Sequence, residues 1–204
     1  MTLSWGCTQA SLEEDLKGRP TVRLLFSGHS GSGRLGYTTP GGGEVVGFSD
    51  DVAELLGQHS VKRGGKLSLV VLNGCNSEAL GLRLRAAGVP CVVCWRTPTL
   101  DKAARMFASA LFKACATAAM AAVPAPPEQT IRYAFDAACD AVKLFKTKTK
   151  NPQTGQTGEV TAFVLTAPPM PPPTGHPGFP IAAGRPVLLC DGAGGDGVPI
   201  RVGA

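Results

Sequence analysis

Short hydrophobic runs bounded by turn residues recur along the first half of the chain. Three of them stand at 21–26 (TVRLLF), 67–72 (LSLVVL) and 89–95 (VPCVVCW). Each run is continuous rather than alternating, which is typical of strands that are covered on both faces, as in a parallel sheet. The pattern therefore predicts buried β-strands at these positions.

Amphipathic helices are predicted between and after these strands. Apolar residues fall on one helical face over 49–57, over 76–88 (NSEALGLRLRAAG), from 101 to about 122 and over 131–145. Strands that alternate with helices indicate an α/β fold with right-handed crossovers and a mostly parallel sheet.

One segment interrupts this alternation and another ends it. Residues 33–48 (GRLGYTTPGGGEVVGF) hold two short strand-like pieces around 40–43, which predicts a hairpin insertion instead of a helix. Beyond residue 146 the chain becomes polar and then Pro-rich. We therefore divide it into a domain over 1–146 and a tail over 147–204, in which one or two strands are available to complete the sheet.

Composition and charge narrow the class of protein. The 204 residues are 44% hydrophobic and include two Tyr and two Trp, without RNP-like or zinc-finger spacing, so nucleic-acid binding has little support. The net charge of +5 includes a basic run at 143–150 (KLFKTKTK), which we interpret as the solvated end of a helix. Neither a signal peptide nor a long apolar stretch is recognisable, which predicts a soluble, cytoplasmic protein without a membrane segment.

The cysteines add little support for redox or metal chemistry. Seven of them are present, an odd number in a chain long enough to form a core without disulfides, so reduced thiols are expected. Cys91 and Cys94 form a C-x-x-C motif inside a Val-rich run and not at a helix N-terminus, which disfavours a redox role. No His stands near them, and hence neither a metal nor another cofactor is expected.

The segment 24–33 (LLFSGHSGSG) is the first candidate for chemistry, and it allows three interpretations. Ser30 stands in a near-match to the Gly-x-Ser-x-Gly elbow of serine hydrolases, but Ser32 replaces the final Gly and no helix can follow. A phosphate-binding glycine loop would also have to open a helix. The third interpretation makes His29 a base at the end of a strand.

A partner for His29 is expected at the same edge of the sheet, because sites in open α/β sheets lie beyond the carboxyl ends of the strands. The run LSLVVL delivers Asn73, Gly74 and Cys75 to that edge. A thiol at this position, where a helix is predicted to begin, lies in the positive field of the helix dipole, which favours a thiolate.

Together these motifs resemble the caspase-like (clan CD) cysteine peptidases, and most of all their CHAT-domain branch. The resemblance rests on LLFSGHSG, on LSLVVLNGCNS, and on AAGVPCVVCWRTPTLDKAARMFASALFKA followed by IRYAFDAACDAV, and it covers roughly residues 8–145. It implies a caspase-like three-layer sandwich with a mostly parallel central sheet and helices on both faces.

The resemblance also implies a cysteine endopeptidase that cleaves protein or peptide substrates with a His-Cys dyad. Cys75 would attack as a thiolate, and His29 would donate a proton to the leaving amine. Backbone N–H groups at the two turns would bind the oxyanion. The turn residues assigned to this oxyanion site are Gly28, Ser30, Gly31 and Gly74.

Residues near the predicted strand ends are candidates for the substrate pocket, and each also has a structural interpretation. Asn73 and Ser77 would otherwise brace the turn that carries the thiol. Asp101 would otherwise cap the helix that begins there. Arg96 would either select an acidic substrate residue or pair with a neighbouring side chain.

The sequence departs from the family pattern at two places. Ser30 is inserted between His29 and Gly31, where family members read His-Gly, and the first βα unit of the family fold is lacking, with only 3–8 available for a strand. A catalytically inactive interaction or scaffolding module is therefore the alternative function. The lacking unit is compatible with a fragment of a longer chain, with a divergent minimal form, or with one half of an assembly whose sheet edge is covered by a partner chain or domain.

Overall fold

The computed structural model describes residues 9–31, 34–38, 44–47, 49–120, 125–150, 154–166, 181–190 and 200–202. Its helices are α1 (Gln9–Gly18), α2 (Ser49–Gln58), α3 (Glu78–Ala86), α4 (Asp101–Ala119) and α5 (Pro127–Lys143), with a 3-10 turn at Val61–Arg63. Its strands are β1 (Arg23–Ser27), β2 (Ser30–Gly31), β3 (Arg34–Thr38), β4 (Glu44–Gly47), β5 (Leu69–Asn73), β6 (Cys91–Trp95), β7 (Lys146–Lys150), β8 (Thr157–Thr161), β9 (Phe163–Val164), β10 (Ile181–Ala182), β11 (Pro186–Cys190) and β12 (Ile200–Val202).

A five-stranded sheet in the order β1-β5-β6-β11-β12 forms the centre of the described fold. Strands β1, β5 and β6 are parallel neighbours, whereas β11 is antiparallel to both β6 and β12. Four of the five strands therefore run in one direction. The predicted α/β class with a mostly parallel central sheet is confirmed.

Successive side chains of the central strands point into two separate cores, as the period of a β-strand requires. Val71 packs on one face of the sheet with Phe107 of α4 and with residues of α5. Val70 packs on the opposite face with Leu16 of α1, Leu56 of α2 and residues of α3. Helices thus cover both faces of the sheet.

Three aromatic rings fix the carboxyl end of β6 against the helices. Trp95 contacts Phe107 edge to face at a centroid distance of 5.5 Å, and Phe107 contacts Phe135 in the same way at 5.6 Å. All three side chains are buried, and edge-to-face pairs are favoured over stacked ones by the ring quadrupoles. The strand end that precedes the candidate pocket residue Arg96 is therefore rigidly packed.

Strand β1 lies at the edge of the sheet, with β5 on one side and no described strand on the other. The prediction of strands covered on both faces is correct for β5 and β6, whose residues are all buried. It is wrong for β1, where Leu25 is 41% exposed, with Val22 just before it at 48%. The apolar pattern alone could not separate an edge strand from a central one.

Helix α1 leads directly into β1 and is the first element of the described chain. Leu16 of this helix is buried in the core shared with α2 and α3, and Leu12 packs beside it. Their spacing of four residues places both on one helical face. Residues 3–8, the segment available for a strand, lie outside the described part of the chain, so the lack of the first βα unit stays a prediction.

The predicted hairpin insertion after His29 is confirmed. Strands β2, β3 and β4 form a small antiparallel sheet in which Ser30 pairs with Leu35 and Tyr37 pairs with Val45. The expected tip of the hairpin, at 40–43, lies outside the described residues. No helix can follow His29 directly, which agrees with the rejection of the serine elbow.

The predicted helix end in the basic run at 143–150 is correct for Lys143 and wrong for the rest of the run. Helix α5 ends at Lys143, and residues 146–150 form strand β7, which pairs antiparallel with β8. Alternating Lys and Thr explain the difference, because β-branched Thr favours extended backbone. Residues 146–150 are therefore the basic strand of a hairpin.

The expectation of reduced thiols is wrong for two cysteines. Cys190 of β11 stands opposite Cys91 of β6 in the strand register, and the two form a disulfide with a Cα–Cα distance of 4.3 Å. They are 99 residues apart in sequence, so spacing could not reveal the pair. Cys91 and Cys94 belong to cores on opposite faces of the sheet, so the C-x-x-C motif does not act as a pair.

Candidate active site

The two predicted turns lie side by side at the carboxyl edge of the sheet. The register of β1 and β5 ends with Ser27 opposite Asn73, so both chains leave the sheet at the same level. The hydroxyl of Ser30 donates a 2.6 Å hydrogen bond to the carbonyl oxygen of Cys75. The turn that carries His29 is thereby joined to the turn that carries the thiol.

Glycine at position 74 allows these turns to approach. A Cβ atom at Gly74 would lie 2.7 Å from the carbonyl oxygen of Gly28 and would also overlap Ser30. Gly28 is less constrained, since a Cβ there would meet only the ring of Phe26, at 3.2 Å. Gly31 belongs to β2 and pairs with Arg34, so it is part of the insertion.

The thiol of Cys75 is partly buried and is held by the loop after β6. Its Sγ accepts a hydrogen bond from the backbone N–H of Thr99 at 3.4 Å, and the thiol lies 3.8 Å from the carbonyl oxygen of the same residue. His29 is exposed. Among the described residues, no hydrogen bond joins its imidazole to the thiol.

The turn between β5 and α3 is shaped by residue 76. Asn76 has a left-handed backbone, with φ of 51°, which Asn adopts more readily than most residues. Its N–H donates to the carbonyl oxygen of Thr97 at 3.2 Å. Helix α3 begins at Glu78 with Ser77 as its N-cap residue. Cys75 therefore lies just before the helix and not within its first turn, which weakens the predicted influence of the helix dipole.

Asn73 and Ser77 are buried and hydrogen-bond within the protein. The Ser77 hydroxyl donates to the carbonyl oxygens of Leu72 and Gly74, at 3.2 and 2.9 Å, and accepts from the N–H of Trp95 at 3.0 Å. The Asn73 side-chain oxygen accepts from the indole N–H of Trp95 at 3.2 Å. These contacts brace the strand ends against each other.

Arg96 and Asp101 both pair with neighbouring side chains. The guanidinium of Arg96 holds the carboxylate of Glu78 through two hydrogen bonds, at 2.5 and 2.7 Å, and this contact raises the pKa of Arg96. Asp101 begins α4, is largely exposed and pairs with Arg105 one turn later, at 2.8 Å. Its carboxylate makes no capping hydrogen bond, since the N-cap residue is Leu100.

Cys75 differs from the other free cysteines of the described chain in its exposure. Cys94, Cys115 and Cys139 are buried, and burial raises the pKa of each thiol, to about 12 for Cys139. A buried thiol with a raised pKa is a poor nucleophile, because the thiolate is the reactive form. Cys75 is partly exposed and is therefore the thiol best placed for chemistry in the described part of the chain.

Thr99 and the segment 183–185 are part of this site, and sequence reasoning did not assign them to it. The Thr99 hydroxyl donates to the carbonyl oxygen of Ala183 at 2.9 Å, and the N–H of Arg185 donates to the hydroxyl of Thr97 at 2.9 Å. These residues lie more than 80 apart in the chain, and no motif signals their contact.

Comparisons with known proteins do not assign the chain to a family. No family model matches it, and no curated protein matches it.

Within the described residues, no group of three or more His, Cys, Asp or Glu side chains could hold a metal ion. None of the helices described has the length and apolar character needed to span a bilayer.

Proposed function

We propose that this chain is a caspase-like cysteine endopeptidase of the CHAT type, with Cys75 as nucleophile and His29 as proton carrier. The observation that carries the proposal is the direct contact between their turns, made by the 2.6 Å hydrogen bond from Ser30 to the carbonyl oxygen of Cys75. The partial exposure of Cys75, beside buried thiols of raised pKa, supports the same assignment.

The proposed reaction has two stages. His29 takes the proton of the Cys75 thiol, the sulfur bonds to the peptide carbonyl carbon, the C–N bond breaks, and His29 transfers that proton to the departing amine. Water then attacks the thioester, which releases the carboxylic acid and restores the thiol. An exposed imidazole such as that of His29 can reorient within nanoseconds, and hydrogen bonds between catalytic groups are often incomplete before substrate binds.

The backbone N–H of Cys75 is the proposed oxyanion donor. It has no backbone hydrogen-bond acceptor among the described residues, so it is available to an oxyanion that forms beside the sulfur. The turn after His29 enters β2, where Ser30 and Gly31 pair with β3. Its role in the proposal is to hold the Cys75 peptide rather than to supply a second donor.

The geometry of the pocket residues bears on the substrate. The carboxylate of Glu78 pairs with the guanidinium of Arg96 through two hydrogen bonds. The charge of Arg96 is therefore not available to bind an acidic substrate side chain. Asp101 faces Arg105 and is likewise paired. Neither Arg96 nor Asp101 is therefore proposed to select the substrate.

A scaffolding module with an inactive site is the alternative function. The observation that favours it is the exposed position of His29, whose imidazole makes no hydrogen bond to the Cys75 thiol in the described structure. The two functions differ in one measurable property, the dependence of thiol reactivity on His29.

Labelling with a peptidyl chloromethyl ketone, located by mass spectrometry, separates them. We expect Cys75 to be labelled and the rate to fall at least about 100-fold in His29→Ala, since a base contributes 10²–10⁴-fold. His59→Ala is the matched control, because the carbonyl of His59 accepts from Leu67 at the opposite end of β5. Equal labelling of several cysteines, independent of His29, would establish the scaffolding alternative.

A further inference from the structure

The thiol of Cys75 is held by a residue outside the proposed dyad. The backbone N–H of Thr99 points at Sγ at 3.4 Å. Thr99 lies in the loop 96–100 between β6 and α4. In the same loop, the carbonyl oxygen of Thr97 accepts a hydrogen bond from the N–H of Asn76 at 3.2 Å. The loop therefore contacts the thiol turn at two points.

The loop 96–100 is fixed from behind by the segment 183–185, which leads into β11. The carbonyl oxygen of Ala183 accepts a hydrogen bond from the Thr99 hydroxyl at 2.9 Å and another from the N–H of Leu100 at 3.2 Å.

The other end of the loop is held by Arg185. Its N–H donates to the Thr97 hydroxyl at 2.9 Å, and its carbonyl oxygen accepts from the N–H of Arg96 at 2.9 Å. Hydrogen bonds at both ends leave the loop little freedom to shift.

Gly184 is required by this arrangement. Its φ of 101° lies in the left-handed region that other residues rarely adopt. A Cβ atom there would lie 2.6 Å from the carbonyl oxygen of Pro98 and 3.0 Å from the Cα of Thr99. Any side chain at this position would push the segment away from the loop that holds the thiol.

We propose that Thr99 is a positioning residue for Cys75, and that Ala183 and Gly184 hold Thr99 in place. The inference rests on the proposed function for its catalytic meaning. A backbone N–H directed at the sulfur holds Sγ in one position beside its turn, and hydrogen bonds to a charged acceptor are stronger than those to a neutral one. The side chain of Thr99 fixes the direction of that N–H through Ala183.

The test measures the rate at which iodoacetamide alkylates Cys75 at pH 7, with mass spectrometry to confirm the site. We expect Thr99→Val, which keeps the shape and loses the hydroxyl, to slow alkylation about 3- to 10-fold. Loss of a hydrogen bond to a charged group would change the rate roughly tenfold or more. The expected effect is smaller because Thr99→Val keeps the backbone N–H that contacts the sulfur and removes only the hydroxyl that orients it. Thr99→Ser keeps the hydroxyl and is expected to react at close to the wild-type rate.

Thr117→Val is the matched control, because its hydroxyl bonds the carbonyl of Lys113 within exposed helix surface, at 3.1 Å. Gly184→Ala is the second variant, and it is expected to slow alkylation as Thr99→Val does. Wild-type alkylation rates in both Thr99→Val and Gly184→Ala, with unchanged melting temperatures, would overturn the inference. A rate that falls equally in Thr99→Ser would also overturn it, since the hydroxyl would then be irrelevant.

The failure of this inference is distinguishable from the failure of the proposed function. Alkylation requires no peptide turnover, so it reports on the thiol alone. A wild-type protein that cleaves no peptide, but whose alkylation slows in Thr99→Val, would retain the positioning role and lose the peptidase. Peptide cleavage that depends on Cys75, with alkylation indifferent to Thr99, would give the opposite result.

Discussion

Ser30 is the residue at which the two halves of the candidate site touch. The sequence reads it as an insertion between His29 and Gly31, where the family pattern has His-Gly. In the structure its hydroxyl bonds the Cys75 carbonyl, and it packs on Gly74. The inserted residue therefore links the turns.

We expect Ser30→Ala to lower the free energy of unfolding by about 1 kcal/mol, the net value of a typical internal hydrogen bond. Urea unfolding measures this change. Labelling of Cys75 by a peptidyl ketone should also slow about threefold or more, because the turns lose their fixed separation.

Ser68→Ala is the control for this variant. Its hydroxyl donates to the carbonyl of Val22 at 3.1 Å, just before β5, and its loss should leave labelling unchanged. Labelling of Ser30→Ala at the wild-type rate would contradict the linking role of Ser30.

At the scale of elements, the helices and strands that could be predicted are those whose formation depends on the local sequence pattern. Helix α4 follows its apolar periodicity, with Ala103, Phe107 and Leu111 all buried. Strands β5 and β6 follow their continuous apolar runs. The basic charge of β7 suggests a helix end, whereas its alternating Thr residues favour the extended backbone that it adopts. The edge position of β1 and the disulfide both depend on the order of the strands in the sheet. A local sequence pattern does not specify that order.

The disulfide joins two elements of the central sheet, and its removal tests how far β11 depends on it. We expect reduction to lower the free energy of unfolding by about 2–4 kcal/mol, since the bond closes a loop of 99 residues. Thermal unfolding with and without a reducing agent measures the change.

The variant Cys190→Ala supplies the control for reduction. It should unfold at a lower temperature than the oxidised wild type and should be insensitive to the reducing agent. A wild-type melting temperature that is the same under both conditions would contradict a stabilising disulfide.

At the scale of the whole molecule, the candidate site draws on segments from distant parts of the chain. The neighbouring positions of the turns that carry His29 and Cys75 could be predicted from sequence, because parallel strands end at one edge of a sheet. Thr99 and Ala183 could not, because their contact arises where the segment before β11 crosses the loop after β6. Sequence reasoning therefore located the two turns of the candidate site and missed the residues that contact the Cys75 thiol and its loop.

The measurement that tests the central claim most directly is cleavage of a proteome-derived peptide library, read by mass spectrometry of newly formed N-termini. We expect cleavage by the wild type and by Cys115→Ala, whose thiol is buried in α4, and no cleavage by Cys75→Ala. New N-termini produced equally by Cys75→Ala, or none produced by the wild type, would contradict the assignment of this protein as a cysteine endopeptidase.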